Sequence, residues 1–151
     1  MAKKKIATGK ISNRRAKFDY ELGDSFVVGL QLTGAETKAL RQNHGNLTGA
    51  YVTVNNNELW LINALISGSN SAPISETDQT RTRKLLVKRS ELDKLIDAKA
   101  GANTIVPLEI LTKGRYVKLR IAIGRGKKIH DKRETIKKRQ QEREAHQAES
   151  I

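Results

Sequence analysis

The sequence predicts a mainly β protein with short helices, built as an OB-like closed antiparallel β-barrel with a basic C-terminal tail. About six short segments alternate apolar and polar residues, as half-buried strands do, and only two have helical spacing. A chain of 151 residues supports one domain with a hydrophobic core. Six short strands with two helices favour an antiparallel barrel or sandwich, and the size suits an OB-like barrel.

The first strand is predicted at residues 25–33. Its apolar residues stand at alternate positions, namely Phe26, Val28, Leu30 and Leu32. The spacing changes after Gly34, and residues 35–42 are predicted to be helical. Thr33 precedes this helix and Glu36 follows three residues later, which is the spacing of a capping box.

The next two strands are predicted at residues 51–54 and 58–66. The asparagines at 55–57 join them, because asparagine tolerates the positive φ angles of a tight turn. Residues 67–80 are small, polar and rich in turn formers, and are predicted to form one long surface loop.

The second half of the domain repeats this alternation of strands and helix. Residues 83–88 are predicted as a strand, and Ser90 is expected to cap a helix over 91–100 that ends before a glycine. Residues 105–111 and 116–123 are predicted to form the last hairpin.

Positive charge is concentrated at the two ends of the chain. Residues 1–17 hold seven Lys or Arg and no acid, and residues 125–151 hold nine cations and five acids, within a formal net charge of +13. We therefore divide the chain into a basic N-terminal arm (1–17), an OB-like RNA-binding domain (18–124) and a basic C-terminal tail (125–151). Clustered charge of this kind is typical of nucleic-acid-binding proteins.

The composition argues against several other functions. The chain has no cysteine, which fits the reducing cytoplasm and excludes thiolate metal sites. His44, His130 and His146 lack the spacing of metal ligands, and no nucleophile motif is present. We expect no catalytic residue, metal or cofactor. No apolar run is long enough to cross a membrane, and no membrane partner is expected.

Two groups of residues in the domain are candidates for RNA contact. Asn13, Arg14 and Arg15 lie where the arm meets the domain. Arg81, Arg83 and Lys84 cluster at the start of a strand, where the two arginines, two residues apart, can clamp phosphates from one face. The alternative is an edge strand protected by charge.

The six aromatic residues do not indicate a surface for stacking bases. They are Phe18, Tyr20, Phe26, Tyr51, Trp60 and Tyr116, and most of them stand at strand positions expected in the core. The sequence therefore favours a structured RNA, held by its backbone and shape.

The tail carries little apolar surface. If it forms a helix, only Ile129 and Ile136 contribute to an apolar stripe, which is too little for burial against protein or a membrane. Its burial cannot offset the entropy of ordering, about 1–2 kcal/mol per residue, so we expect the free tail to be disordered.

Segments spread over nearly the whole chain resemble the SmpB family of SsrA-binding proteins in order and spacing. They are residues 34–41, 45–47 with Tyr51, 58–61, 81–86, 91–96, 106–108 and 126–133 with 136–137.

This resemblance implies an OB-like barrel that binds the tRNA-like domain of transfer-messenger RNA (tmRNA, or SsrA RNA) and enters stalled 70S ribosomes for trans-translation. Elongation factor Tu and alanyl-tRNA synthetase are implied as indirect partners, through tmRNA. Asn13 and Leu86 match positions used for tmRNA contact.

The resemblance also implies a role for the tail. It is expected to fold as a helix in the mRNA channel and the decoding centre of 16S rRNA, and so to sense an empty channel. The matching or neighbouring basic-tail residues are Gly126, Lys127, Lys128, His130, Asp131, Lys132, Arg133, Lys137, Lys138 and Arg139. His130 is the candidate to stack on a base.

Three residues depart from the family pattern. Val27 stands where an acid tied to RNA binding is usual, whereas Gly68 and Gln79 replace prolines, which implies a looser 67–80 loop. Two other functions remain open from the residues alone: a ribosomal or assembly protein bound permanently to rRNA, and a general single-strand-binding OB protein.

Overall fold

The computed structural model describes residues 9–68, 70–71, 73–101, 103–126 and 136–143. Within residues 9–126 the described chain forms nine strands and four short helices. They are β1 Lys10–Ser12, α1 Ala16–Asp19, β2 Tyr20–Leu30, α2 Gly34–Arg41, β3 Gly45–Asn46, β4 Tyr51–Asn55, β5 Glu58–Ile62, β6 Leu65–Ile66, α3 Glu76–Gln79, β7 Arg83–Leu86, α4 Arg89–Ala100, β8 Thr104–Leu111 and β9 Lys118–Gly126. Residues 136–143 are helical. The predicted mainly β class with short helices is confirmed.

Seven strands form one sheet in the order β1-β8-β4-β5-β7-β2-β9, and β3 pairs separately with β6. Every pair is antiparallel. β8 also pairs with β9. Following the paired strands from β8 through β4, β5, β7, β2 and β9 therefore leads back to β8.

The core lies on the inner side of these strands. Along β9, Leu119 and Ile121 are fully buried, whereas Lys118 is exposed and Arg120 is half-buried. Two helices cover the core with apolar side chains, Ala39 and Leu40 from α2 and Leu92 and Leu95 from α4. Strand alternation therefore determines which cations face outward.

The capping box at the start of α2 is confirmed. The Thr33 hydroxyl accepts from the Glu36 backbone N–H at 3.2 Å, and the Glu36 carboxylate accepts from the Thr33 N–H at 2.9 Å. The turn before β5 also follows the prediction, because Asn56 and Asn57 have φ angles of 52° and 58°.

Several predicted boundaries were wrong. The strand predicted at 58–66 breaks at Asn63, which has a φ of 63°. β2 begins at Tyr20 rather than residue 25, with a register shift between Leu22 and Ser25. The 67–80 loop contains the short helix α3.

The predicted cap of α4 was also wrong. The helix begins at Arg89, and its N-cap is Lys88, which makes no side-chain capping hydrogen bond. Ser90 lies inside the first turn.

The sheet extends past the predicted domain limits at both ends. β1 pairs Lys10, Ile11 and Ser12 with β8, and β9 continues to Gly126. Residues 10–12 and 125–126 therefore belong to the sheet, and the division into arm, domain and tail stays a prediction for the remaining residues.

Candidate nucleic-acid interface

Two rows of side chains cross the side of the sheet that points away from the core. We call this side the outer face. Cross-strand pairing places Ser12, Glu109, Arg120 and Val27 in the first row. The second row consists of Lys10, Leu111, Lys118, Gly29 and Leu86. Residues two apart on a strand share a face, so both rows point away from the core.

Apolar side chains stand exposed among the cations of this face. Leu86 is 55% exposed and Val27 is 41% exposed. Arg120 donates to Glu109 at 2.9 Å, and Lys10 approaches the same carboxylate at 3.7 Å. Both cations reach solvent, and ion pairs at the surface contribute about 0–1 kcal/mol, so the cations can exchange carboxylate for phosphate.

Asn13 lies at the edge of the outer face. Its backbone N–H donates to the Leu108 carbonyl at 2.7 Å, and its side-chain Nδ2 donates to the Pro107 carbonyl at 2.9 Å. These two bonds continue the pairing of β1 with β8 for one residue and fix the amide in place.

The neighbouring arginines stand beside two clefts. Arg14 and Lys17 are exposed and line a cleft of about 450 Å³ together with Lys10, Asn13 and Arg120. Arg15 lines a second cleft of about 600 Å³, which Asn13 also lines. Its guanidinium pairs with Asp19 at 3.5 Å and lies 5.4 Å from the centre of the Phe18 ring.

Arg83 does not face solvent, which contradicts the predicted phosphate contact. Its side chain is 0% exposed, and its Nε donates to Glu36 at 2.6 Å. The remaining donors reach backbone carbonyls at 2.8–3.1 Å, those of Ala64, Arg81, Asp78 and Gln79. All five N–H groups of the guanidinium are therefore used inside the protein.

Arg81 binds the same carboxylate from the surface. Its guanidinium donates to both oxygens of Glu36, and its side chain is 33% exposed. The two arginines converge on one face as predicted, but a buried glutamate occupies the position expected for a phosphate.

Glu36 is held in its charged form. Burial alone would raise its pKa, but hydrogen bonds from Arg81, the Thr33 N–H and Arg83, with the charge of Arg83, lower the pKa below 4.5. Burial also lowers the pKa of Arg83, and Glu36 opposes this change. Each partner therefore keeps the other ionised.

Lys84 lies on the outer side of β7, paired across strands with Trp60. Its ammonium group contacts Glu58 at 3.1 Å, with both side chains partly exposed. Lys84 and Arg81 line a cavity of about 350 Å³ with Trp60.

The predicted tail residues lie partly outside the described chain. Gly126 ends β9 and is exposed, and Lys137, Lys138 and Arg139 are exposed residues of the helical segment 136–143. Six predicted residues fall outside the described ranges, namely Lys127, Lys128, His130, Asp131, Lys132 and Arg133.

Two outward-facing cations and two exposed aromatic residues were not predicted from the sequence. Lys118 and Arg120 alternate with buried residues of β9, and this alternation was a usable signal for their outward direction. Most of the six aromatic residues were expected in the core, but Tyr51 and Tyr116 are 45% and 67% exposed. Among the described residues, no group of three potential ligands could hold a metal ion, and no helix is long and apolar enough to cross a membrane.

Three comparisons identify similar proteins. The family model described as SmpB protein matches residues 10–150. An SsrA-binding protein of Trichormus variabilis is 44% identical over 138 residues, covering 90% of this chain and 89% of the relative. One from Gloeobacter violaceus is 40% identical over 149 residues, covering 98% of both chains. A solved chain described as "tmRNA-SmpB: a journey to the center of the bacterial ribosome" aligns with a TM-score of 0.66 and 34% identity, covering 81% of this chain and 87% of that one.

We predict that Glu36→Gln lowers the free energy of unfolding by about 3–5 kcal/mol at neutral pH, because it leaves the buried Arg83 guanidinium without a counter-charge. Chemical denaturation followed by circular dichroism measures this change. The matched control is Glu58→Gln, which removes an exposed partner and should cost no more than about 1 kcal/mol. Equal losses in the two variants would contradict the role of the cluster.

The contribution of Glu36 to stability should also depend on pH. The folded-state pKa of Glu36 is depressed, so its contribution is complete above 4.5 and is lost as pH falls through the folded-state pKa. The stability difference between the wild type and Glu36→Gln should therefore shrink in acid. A difference that stays constant from neutral pH into the acid range would show that the carboxylate's charge is not what stabilises the fold.

Proposed function

The chain belongs to the SmpB family, and from this premise we propose that it binds the tRNA-like domain of tmRNA and delivers it to stalled ribosomes for trans-translation. One observation carries the structural part of this proposal. On the outer face, the exposed side chains of Leu86 and Val27 stand beside Lys118 and Arg120, with Asn13 at the edge.

This mixture of side chains fits a folded RNA. Cations bind phosphates without regard to sequence, whereas exposed apolar side chains and a fixed amide fit sugars and base edges. We propose Asn13, Arg14, Arg15 and Leu86 as contact residues, with Lys84 and Arg81 at the far side of the face. Arg83 supports the interface only through Glu36.

A valine at position 27, where family members usually carry an acid, is compatible with an RNA-binding role of the outer face. Val27 lies directly across from Arg120, and Arg120 donates to Glu109 on its other side. We propose that Glu109 supplies the carboxylate that family members usually carry at position 27.

We propose that the domain is an OB-like closed barrel. The additional pairing of β8 with β9 supports this proposal, because it connects the two ends of the strand order β8-β4-β5-β7-β2-β9. A closed sheet would leave the two rows on a rigid convex surface, which suits recognition of RNA by shape.

We propose that the tail enters the mRNA channel and the 16S rRNA decoding centre, through Gly126 and the residues up to Arg139 identified from the sequence. Every residue of the helical segment 136–143 is exposed, which supports a helix whose surface is available to bind RNA. We further propose a non-catalytic protein of the cytoplasm that meets elongation factor Tu and alanyl-tRNA synthetase only through tmRNA.

The proposal is tested by a competition titration with labelled tRNA-like domain of the cognate tmRNA at near-physiological salt. We expect tight binding that survives an excess of ordinary tRNA and of unstructured RNA. Equal competition by tRNA would favour a ribosomal or assembly protein, and preference for unstructured RNA would favour a single-strand-binding protein.

Leu86→Asp should weaken this binding by at least about tenfold, because it places a negative charge against RNA phosphates. Asn56→Asp is the matched control, since it adds the same charge on the exposed turn between β4 and β5. If the two variants bind alike, Leu86 lies outside the interface.

Deleting residues 127–151 should leave affinity for the tRNA-like domain nearly unchanged and abolish transfer of the nascent peptide to tmRNA. The deletion begins after Gly126 so that β9 stays intact. Filter binding and an in vitro tagging assay measure the two activities. A large loss of tmRNA affinity would refute this division of labour.

A further inference from the structure

A second group of cations lies at one end of the sheet, where the turn between β8 and β9 meets the end of α2. We call this group the hairpin-tip patch; its residues are Lys38, Arg41, Lys113, Arg115 and Tyr116. Nη2 of Arg41 donates to the carbonyls of Gly114 at 3.1 Å and Arg115 at 3.0 Å. These bonds link the end of α2 to the turn, and they hold Arg41 close to Arg115 before any partner binds.

The hairpin-tip patch carries positive charge with no acidic partner in the described chain. Among the described residues, none of its four cations forms an ion pair, in contrast to Lys84, Arg15 and Arg120. The two sequence segments that supply the residues of this patch contain no acidic residue over long stretches. No Asp or Glu occurs at residues 37–57 or 110–130. Charge of one sign in a fixed cluster favours a polyanion.

Tyr116 adds an aromatic surface to this charge. Its side chain is 67% exposed, although the neighbouring Val117 is buried and Thr112 at the other side of the turn is 6% exposed. The buried flanking residues fix the backbone, so the ring stays in solvent. The Arg115 guanidinium lies 5.5 Å from the ring centre.

We propose that the hairpin-tip patch is a second RNA contact, in which Lys113, Arg115 and Arg41 bind a run of phosphates and Tyr116 stacks on an unpaired base. An exposed ring beside a guanidinium fits the faces of bases better than it fits an acidic protein surface. The inference rests on the proposed function for the presence of an RNA partner. That RNA is either tmRNA or ribosomal RNA, and the two arms of the test distinguish them.

The test compares full-length Lys113→Gln/Arg115→Gln with Arg89→Gln/Lys94→Gln, a double variant on α4 with the same change of charge at exposed positions. Each protein is titrated with the tRNA-like domain and, as a complex with tmRNA, with stalled ribosomes. The titration with the tRNA-like domain is the first arm and the titration with ribosomes is the second. In one of the two arms, the patch variant should bind about tenfold more weakly, with a salt slope lower by about two units. The α4 control should match the wild type in both arms.

Stacking is tested at Tyr116 itself. Tyr116→Ala should weaken binding about tenfold in the same arm, and Tyr116→Phe should restore it to within about twofold. A loss in the first arm assigns the patch to tmRNA, and a loss in the second arm alone assigns it to the ribosome.

The proposal is overturned if the patch variant matches the α4 control in both arms, or if Tyr116→Phe is as weak as Tyr116→Ala. An acidic protein partner would give the first of these outcomes. Failure of the proposed function is seen separately, because it appears in the wild type as equal competition by ordinary tRNA.

Discussion

The buried carboxylate of Glu36 is the interaction on which the rest of this structure depends. It caps α2 through Thr33 and binds both Arg81 and Arg83. Arg83 in turn reaches carbonyls of Ala64, before β6, and of Asp78 and Gln79 in α3. One ion cluster thus joins a helix, a strand and the connection between them. A buried guanidinium without its carboxylate would cost several kcal/mol, so these elements hold their positions together.

This cluster links stability to the proposed interface. Arg83 begins β7, and Leu86 ends it three residues later on the outer face. The inward direction of Arg83 and the strand alternation fix Lys84 and Leu86 as outward residues. Among the described residues, the cations that form ion pairs therefore differ in exposure. Arg83 is buried and all its donors are used, whereas Arg120, Lys84 and Arg15 form partly exposed pairs that phosphate can replace at little cost.

Local patterns could be predicted from the sequence, and long-range partners could not. The capping box, the asparagine turn and the alternation of β9 depend on residues a few positions apart, so their signals are in the local sequence. The partner of Arg83 lies 47 positions away, and nothing near Arg83 in the chain indicates burial. β1 and α1 were not predicted, because both are short and lie in a basic segment. β1 forms a strand through its pairing with β8, which is distant in sequence. The outward cations Lys118 and Arg120 were predictable from alternation alone.

The two parts of the chain that we propose to bind RNA, the outer face and the tail, both include residues of β9. Its outward residues Lys118 and Arg120 lie on the outer face, the turn before it carries Tyr116, and its last residue is Gly126. A Cβ at Gly126 would meet no atom within 4 Å among the described residues, so the last residue of β9 is not packed against the domain. Because a strand paired on both sides is rigid, an RNA bound on the outer face is held at a fixed place relative to the start of the tail. The proposed delivery of tmRNA and the proposed sensing of the empty channel are thereby linked, since the strand that is proposed to bind one RNA is continuous in sequence with the tail that is proposed to bind the other.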